Sequence, residues 1–125
     1  MGTSHRIRVL LVDDHLMFRE GLRTLLQSYP DIDVVDEAND GVEAVSKVSK
    51  VHPAVVVMDI SMPKMDGVAA TRVLKSRHAH IPVLGLSVTG HGYQVDAMLK
   101  AGAITVLTKE KAVDELYDAI KRAAA

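Results

Sequence analysis

The sequence predicts a three-layer α/β domain, a doubly wound five-stranded parallel sheet of order 2-1-3-4-5 with helices on both faces. Short runs rich in β-branched residues alternate with helical patterns about five times along the chain. Such alternation predicts parallel pairing, because each helix must carry the chain back over the sheet before the next strand. The runs RVLLV and VVVM are nearly continuously apolar, as is typical of strands buried on both faces.

Each element follows from its own pattern. Strands are expected at 8–13, 33–38, 53–59, 82–87 and 103–108. Helices are expected where apolar residues recur at helical spacing: Phe18, Leu22, Leu25 and Tyr29; Val42, Val45 and Val48; Ala70, Val73 and Leu74; the segment 91–101; and Val113, Leu116 and Ile120. The second strand, DVVDEA, is more polar than the others, which predicts a position at an edge of the sheet.

Length and composition limit the possible functions. A chain of 125 residues with 48% hydrophobic and 25% charged residues fits one globular domain. The formal charge of -1 argues against direct nucleic-acid contact by this segment, and the lack of cysteine excludes a thiolate nucleophile. No apolar run approaches a membrane span, and the start MGTSHR lacks the apolar core of a signal peptide. A soluble, cytoplasmic protein without membrane contact is therefore expected.

Polar side chains stand at the carboxyl end of nearly every predicted strand. The first strand ends in Asp13 and Asp14, the third in Asp59, the fourth in Ser87, and the fifth just before Lys109. In open α/β sheets this edge is where ligands bind. Each residue alone has a plain alternative interpretation, as a helix cap or a solvated loop residue. Their coincidence at one edge favours a functional site.

The charges of this group predict a cation and a phosphoryl ligand. A third carboxylate about 4–5 Å from an adjacent pair repels it by about 3–4 kcal/mol at an effective dielectric near 20. Oxygen ligands without cysteine suit Mg²⁺. Asp59 would then be the nucleophile that forms an acyl phosphate, Lys109 would pair with the incoming anion, and Ser87 would donate to one of its oxygens.

The sequence resembles a two-component response-regulator receiver domain over essentially the whole chain. The resemblance rests on VDDH at 12–15, MDISMPKMDG at 58–67, LS at 86–87 and TK at 108–109. The stretch DDHLMFREGLRTLL, with VVDEANDG after it, resembles the subfamily whose output is a LuxR-type helix-turn-helix. This implies a flavodoxin-like sandwich in which residues 1–125 form a receiver domain, the excised N-terminal part of a longer transcription regulator.

The resemblance also implies roles for individual residues. Asp14 would hold Mg²⁺ directly and Asp13 more often through water, with Asp59 and the main-chain carbonyl of Ser61 as further ligands. Asp59 would accept a phosphoryl group from a histidine kinase. The hydroxyl and ammonium groups named above would then turn toward the phosphate, and the affinity for a second receiver or an output domain would change.

Two positions depart from the family pattern. Val106 stands where receivers usually carry Tyr or Phe, and Val88 where they usually carry a small residue. Both departures leave the reaction centre intact but keep an alternative open, a degenerate receiver that acts as an interaction module without phosphorylation. A phosphatase of the haloacid dehalogenase type would need a second Asp where Ser61 stands, so a turnover enzyme is not expected.

Several other polar residues receive structural interpretations. Asp66 is expected to cap a helix, and His15 to lie near the pocket without being a metal ligand. Arg19 and Arg23 are expected on a solvated helix face. The pair in His78-Ala-His80 is expected in a solvated loop.

Overall fold

In the computed structural model, which describes residues 6–125, five strands and five helices alternate strictly along that range. They are β1 (Ile7–Val12), α1 (Leu16–Gln27), β2 (Ile32–Ala38), α2 (Gly41–Val51), β3 (Val55–Asp59), α3 (Gly67–Arg77), β4 (Val83–Ser87), α4 (Tyr93–Ala101), β5 (Thr105–Thr108) and α5 (Lys109–Ala124). The prediction that the start of the chain is not a signal peptide rests on MGTSHR, and residues 1–5 of this stretch lie outside the described residues. Within 6–125 every helix is too short or too polar to cross a bilayer.

The sheet confirms the predicted order and the parallel pairing. Its strands run β2-β1-β3-β4-β5, and each neighbouring pair is parallel. Strand β2 lies at one edge, and its central residues are only partly buried, as its polar sequence indicated. The register sets Asp59 beside Leu86 and Ser87 beside Thr108. The carboxyl ends of β3, β4 and β5 therefore finish almost level.

Two apolar layers, one on each face of the sheet, hold the fold together. Side chains alternate between them along a strand, so that Leu10 and Val12 of β1 join one cluster and Val9 and Leu11 the other. Helices α2, α3 and α4 cover the first cluster, and α1 and α5 cover the second. Each fully buried aliphatic side chain contributes about 1.5–3 kcal/mol to the free energy of unfolding. These layers therefore hold the strands, and with them their carboxyl ends, in place.

Some helix details differ from the prediction. Val113 is 56% exposed, and the buried residues of α5 are Ala112, Leu116 and Ile120, which lie four residues apart. Helix α4 begins at Tyr93 and not at residue 91, because Gly92 before it has a φ of 109°, outside the helical region.

Candidate functional site

Three carboxylates meet at the carboxyl edge of the sheet, and we call Asp13, Asp14 and Asp59 the acid cluster. Asp13 directly follows β1, and Asp59 is the last residue of β3, the strand paired with it. Asp13 and Asp59 are almost fully buried, whereas Asp14 is partly open to solvent. One oxygen of each acid and a ring nitrogen of His15 lie within 4.8 Å of one another, an arrangement that could hold a metal ion.

Lys109 projects into the acid cluster from the first position of α5. Its Nζ lies 2.9 Å from Asp13 Oδ2 and 3.3 Å from Asp59 Oδ2, and it also lies over the Phe18 ring, 4.8 Å from the centroid. Burial alone would lower the pKa of Lys109, but its contacts with the two acids outweigh burial and raise that pKa. The ammonium is therefore a permanent counter-charge in the site.

One ammonium leaves the negative charge of the cluster incompletely balanced. Burial, and then the charge of Asp13, raise the pKa of Asp59 from 3.8 to about 7, against the opposing effects of Lys109 and the backbone N–H of Ser61. The buried Asp13 Oδ2 receives no aligned hydrogen bond within residues 6–125, although the Lys109 ammonium is near it. A hard oxygen with a free lone pair beside two more carboxylates fits a divalent cation.

A small cleft of about 150 Å³ opens beside Asp59 and Lys109. Ser61, Ser87 and Val88 are among the residues that line it; Ser87 is buried and Val88 is 78% exposed. The cleft thus places the predicted serine next to the predicted nucleophile and lysine, with Val88 at the opening. His15 lines the same cleft, and its Nδ1 lies 3.3 Å from Lys109 Nζ.

The loop after β3 is held tightly against the strand end. The Gly67 N–H donates to the Ile60 carbonyl at 2.7 Å, and a Cβ at Gly67 would lie 2.2 Å from the main-chain oxygen of Asp59. Only glycine fits this approach. Asp66 accepts from the Ala69 N–H at 2.8 Å, which confirms its predicted role as the N-cap of α3. The loop therefore fixes the backbone around Asp59 and Ser61.

Val106 is packed inward and does not lie free at the surface. It is a partly buried residue of β5 in contact with the apolar cluster of α2, α3 and α4. A Cβ on its neighbour Gly85 would lie 3.0 Å from Val106 Cγ2. The position that usually carries an aromatic ring in receivers is thus filled by a compact side chain with close neighbours.

Arg19 is the residue that sequence reasoning missed. The expectation of a solvated face holds for Arg23, whose side chain is 45% exposed, but it is wrong for Arg19, whose side chain is 8% exposed. Arg19 shares the buried stripe of α1 with Leu22 and Leu26, at the i+3 and i+7 positions of a helix face. That spacing was the available signal. The partners of the buried guanidinium are Asp13, which follows β1, residues of β2, and Asn39, which follows β2.

Fold and site together define a class of domain, a doubly wound α/β domain with an acid cluster and a lysine at the carboxyl edge of its sheet. Residues 9–121 match the response regulator receiver domain model, and the chain belongs to this family. It is 42% identical over 118 residues to the transcriptional regulatory protein DegU of Brevibacillus brevis, covering 94% of this chain and 50% of that protein. The chain spans about half the length of the curated relatives it matches.

Solved structures agree with this assignment. The signal receiver domain of the response regulator NarL from Mycobacterium tuberculosis has a TM-score of 0.90 and 32% identity, covering 96% of this chain and 97% of that one. A LuxR-family two-component response regulator from Aurantimonas sp. SI85-9A1 has a TM-score of 0.88 and 33% identity, covering 94% and 84%. The predicted resemblance to the LuxR-type subfamily is confirmed. Curated relatives also include protein-glutamate methylesterases, so the receiver alone does not define the output.

Proposed function

We propose that this receiver domain is a phosphoacceptor switch in which Asp59 takes a phosphoryl group from a histidine kinase. One observation carries the proposal: the ammonium of the partly buried Lys109 lies within ion-pair distance of both Asp13 and Asp59. Asp59 and Lys109 both line a cleft that an anion can enter. A carboxylate that only caps a helix would need neither to be buried nor to lie beside another carboxylate.

The proposed step is a displacement at phosphorus. A carboxylate oxygen of Asp59 attacks the phosphorus of a phosphohistidine on the kinase, and a P–O bond forms as the P–N bond breaks. The bonding electron pair leaves with the imidazole nitrogen. Lys109 would balance the negative charge on the phosphoryl oxygens, and the Ser87 hydroxyl would donate to one of them.

Mg²⁺ is the cofactor that we propose for the cluster. Asp13, Asp14, Asp59 and the main-chain carbonyl of Ser61 would hold it, and when bound it supplies positive charge for the carboxylates and the phosphoryl oxygens. The support comes from the oxygen-rich donor set and from the buried Asp13 oxygen that lacks an aligned donor within residues 6–125. His15 is largely exposed, and we do not assign it as a ligand.

Phosphorylation would act on the face formed by α4, β5 and α5. It adds about two negative charges at a site bounded by Ser87, the last residue of β4, and Lys109, the first of α5. Pairing with that charge would pull inward the loop after β4 and the start of α5, which follows β5 directly. We infer that the readout is affinity for a second receiver or for a helix-turn-helix output domain in a longer, cytoplasmic transcription regulator, and that the domain is not a turnover enzyme.

Intact mass spectrometry tests this directly. The domain is incubated with acetyl phosphate and Mg²⁺, alongside an EDTA-treated sample and the variants Asp59→Asn and Asp66→Asn. Asp66 is a matched control because it is a nearby exposed acid that caps a helix. We expect one added phosphoryl group in the wild type and in Asp66→Asn, and none in Asp59→Asn or with EDTA. Equal labelling of all samples would refute the proposal.

The position of Val88 supports a second candidate, an interaction module that is not phosphorylated. Its side chain lines the opening of the cleft, where a smaller residue would leave more room for a phosphodonor. Absence of labelling with acetyl phosphate and with a range of histidine kinases would favour this candidate. Labelling that appears only in Val88→Ala would identify the obstruction.

A further inference from the structure

We propose that Arg19 is a positioning residue for the acid cluster, because its buried guanidinium fixes the backbone of Asp13 from behind the site. The part of this inference that concerns Mg²⁺ affinity rests on the proposed function. The part that concerns the conformation of the loop between β1 and α1 does not.

The guanidinium connects the carboxyl ends of two neighbouring strands. Arg19 Nη1 donates to the main-chain oxygen of Asp13 at 2.5 Å, to Asn39 Oδ1 at 2.8 Å and, at longer range, to the Ala38 oxygen at 3.3 Å. Its Nε donates to Glu37 Oε1 at 2.8 Å. One side chain on α1 therefore holds the end of β1 against the end of β2.

Burial makes this arrangement specific. The Arg19 side chain is 8% exposed, and the carboxylate of Glu37 supplies its counter-charge. A buried charge is tolerated only with a partner and with satisfied hydrogen bonds. The planar fork of a guanidinium serves several acceptors at once, which the single ammonium of lysine cannot do in the same geometry.

The contact with Asp13 acts on the metal-facing side chain through the backbone. The Asp13 N–H donates to the Ala38 oxygen at 3.1 Å, and Asp13 Oδ1 accepts from the His15 N–H at 2.8 Å. Arg19 donates to the remaining backbone group of this residue, the Asp13 carbonyl. With its N–H and carbonyl both engaged, the residue has a fixed backbone, and its second carboxylate oxygen is directed at the cluster.

Arg23 provides a matched comparison on the same helix. Its Nη1 donates to the other oxygen of Glu37, also at 2.8 Å, but the side chain is 45% exposed. Among the hydrogen bonds of residues 6–125, none joins the Arg23 side chain to the loop that contains Asp13. Loss of the Arg23 contact removes an ion pair with Glu37 without releasing the Asp13 carbonyl.

The test compares four variants of the domain: Arg19→Met, Arg19→Lys, Arg23→Met and Ile120→Val. Ile120 is fully buried in α5, so its truncation lowers stability without touching the site. Hydrogen–deuterium exchange of the peptide that contains residues 13–15 is measured in EDTA, and the Mg²⁺ dissociation constant is measured by calorimetry. Each is measured at a temperature where thermal melts show every variant to be folded.

We expect Arg19→Met to accelerate exchange at residues 13–15 and to weaken Mg²⁺ binding by about 10- to 100-fold, the range typical of partners that orient metal ligands. Arg23→Met and Ile120→Val should stay within about twofold of the wild type in both measurements. Arg19→Lys keeps the charge but not the fork, so it should fall between Arg19→Met and the wild type. If Arg19→Met does not fold, the same comparison is made with Arg19→Lys.

The outcomes separate the two proposals. If the wild type does not bind Mg²⁺, the proposed function fails, and faster exchange confined to the Arg19 variants still supports the positioning role. If the wild type binds Mg²⁺ and the Arg19 variants match Ile120→Val in exchange and in affinity, Arg19 is only a structural residue and the inference is wrong.

Discussion

Replacing Asp59 by asparagine is expected to stabilise the metal-free domain at neutral and alkaline pH. Asn has nearly the same shape but removes one charge from a buried site that Asp13 already makes negative. The attraction of Lys109 for Asp59 is lost as well, yet it does not outweigh burial and repulsion, because the pKa of Asp59 is raised to about 7.

The sign and size of the effect follow from that pKa. A carboxyl whose pKa rises on folding binds its proton more tightly in the folded state, so stability declines as pH increases between the unfolded and folded values. Since a tenfold change in proton affinity equals about 1.4 kcal/mol, the rise from 3.8 to about 7 corresponds to at most about 4 kcal/mol. The charges of Asp13 and Lys109 act on Asp59 in opposite directions, so we expect a stabilisation of about 2–3 kcal/mol above about pH 7 and almost none near pH 4.

Urea unfolding in EDTA, followed by far-ultraviolet circular dichroism between about pH 4 and pH 8, measures this difference. The control is Asp66→Asn, which keeps an N-cap residue and removes an exposed charge, so it should change stability little at any pH. Added Mg²⁺ should stabilise the wild type more than Asp59→Asn. A destabilised Asp59→Asn, or a stabilisation that is independent of pH, would show that the buried charge is not the source of the effect.

Three further substitutions test the loop after β3, the opening of the cleft, and the coupling of phosphorylation to output. Gly67→Ala should lose about 1–3 kcal/mol in urea unfolding, because its Cβ would meet the Asp59 backbone, while Gly21→Ala, with open space around it, should be neutral or stabilising. Val88→Ala should speed labelling by acetyl phosphate in a mass-spectrometric time course. Val106→Tyr should change receiver dimerisation or output binding after phosphorylation, measured by size-exclusion chromatography, and leave the labelling rate nearly unchanged.

The sheet and the position of the site could be predicted because they depend on local signals. A run such as VVVMD specifies a strand buried on both faces and the point where it ends. Parallel topology then brings the ends of non-adjacent segments to one edge, which is why Asp13 and Asp59 could be placed together although they lie 46 positions apart in the sequence. The pairing of Lys109 with both acids depends on side-chain reach, and the strand pattern alone could not supply it.

Helix faces were less predictable, and Arg19 shows why. The positions of Arg19, Leu22 and Leu26 fit a buried stripe of α1 as well as Phe18, Leu22 and Leu25 do, and hydropathy favours the second set. The choice between them depends on what the next strand offers. Glu37, 18 residues further along the chain, provides a carboxylate at the end of β2 that makes burial of a guanidinium favourable. A charged residue in line with a helix's apolar stripe is therefore better read together with the polar residues that end the neighbouring strand. In this domain, considering Arg19 together with Glu37 places the guanidinium beside the acid cluster and not in solvent.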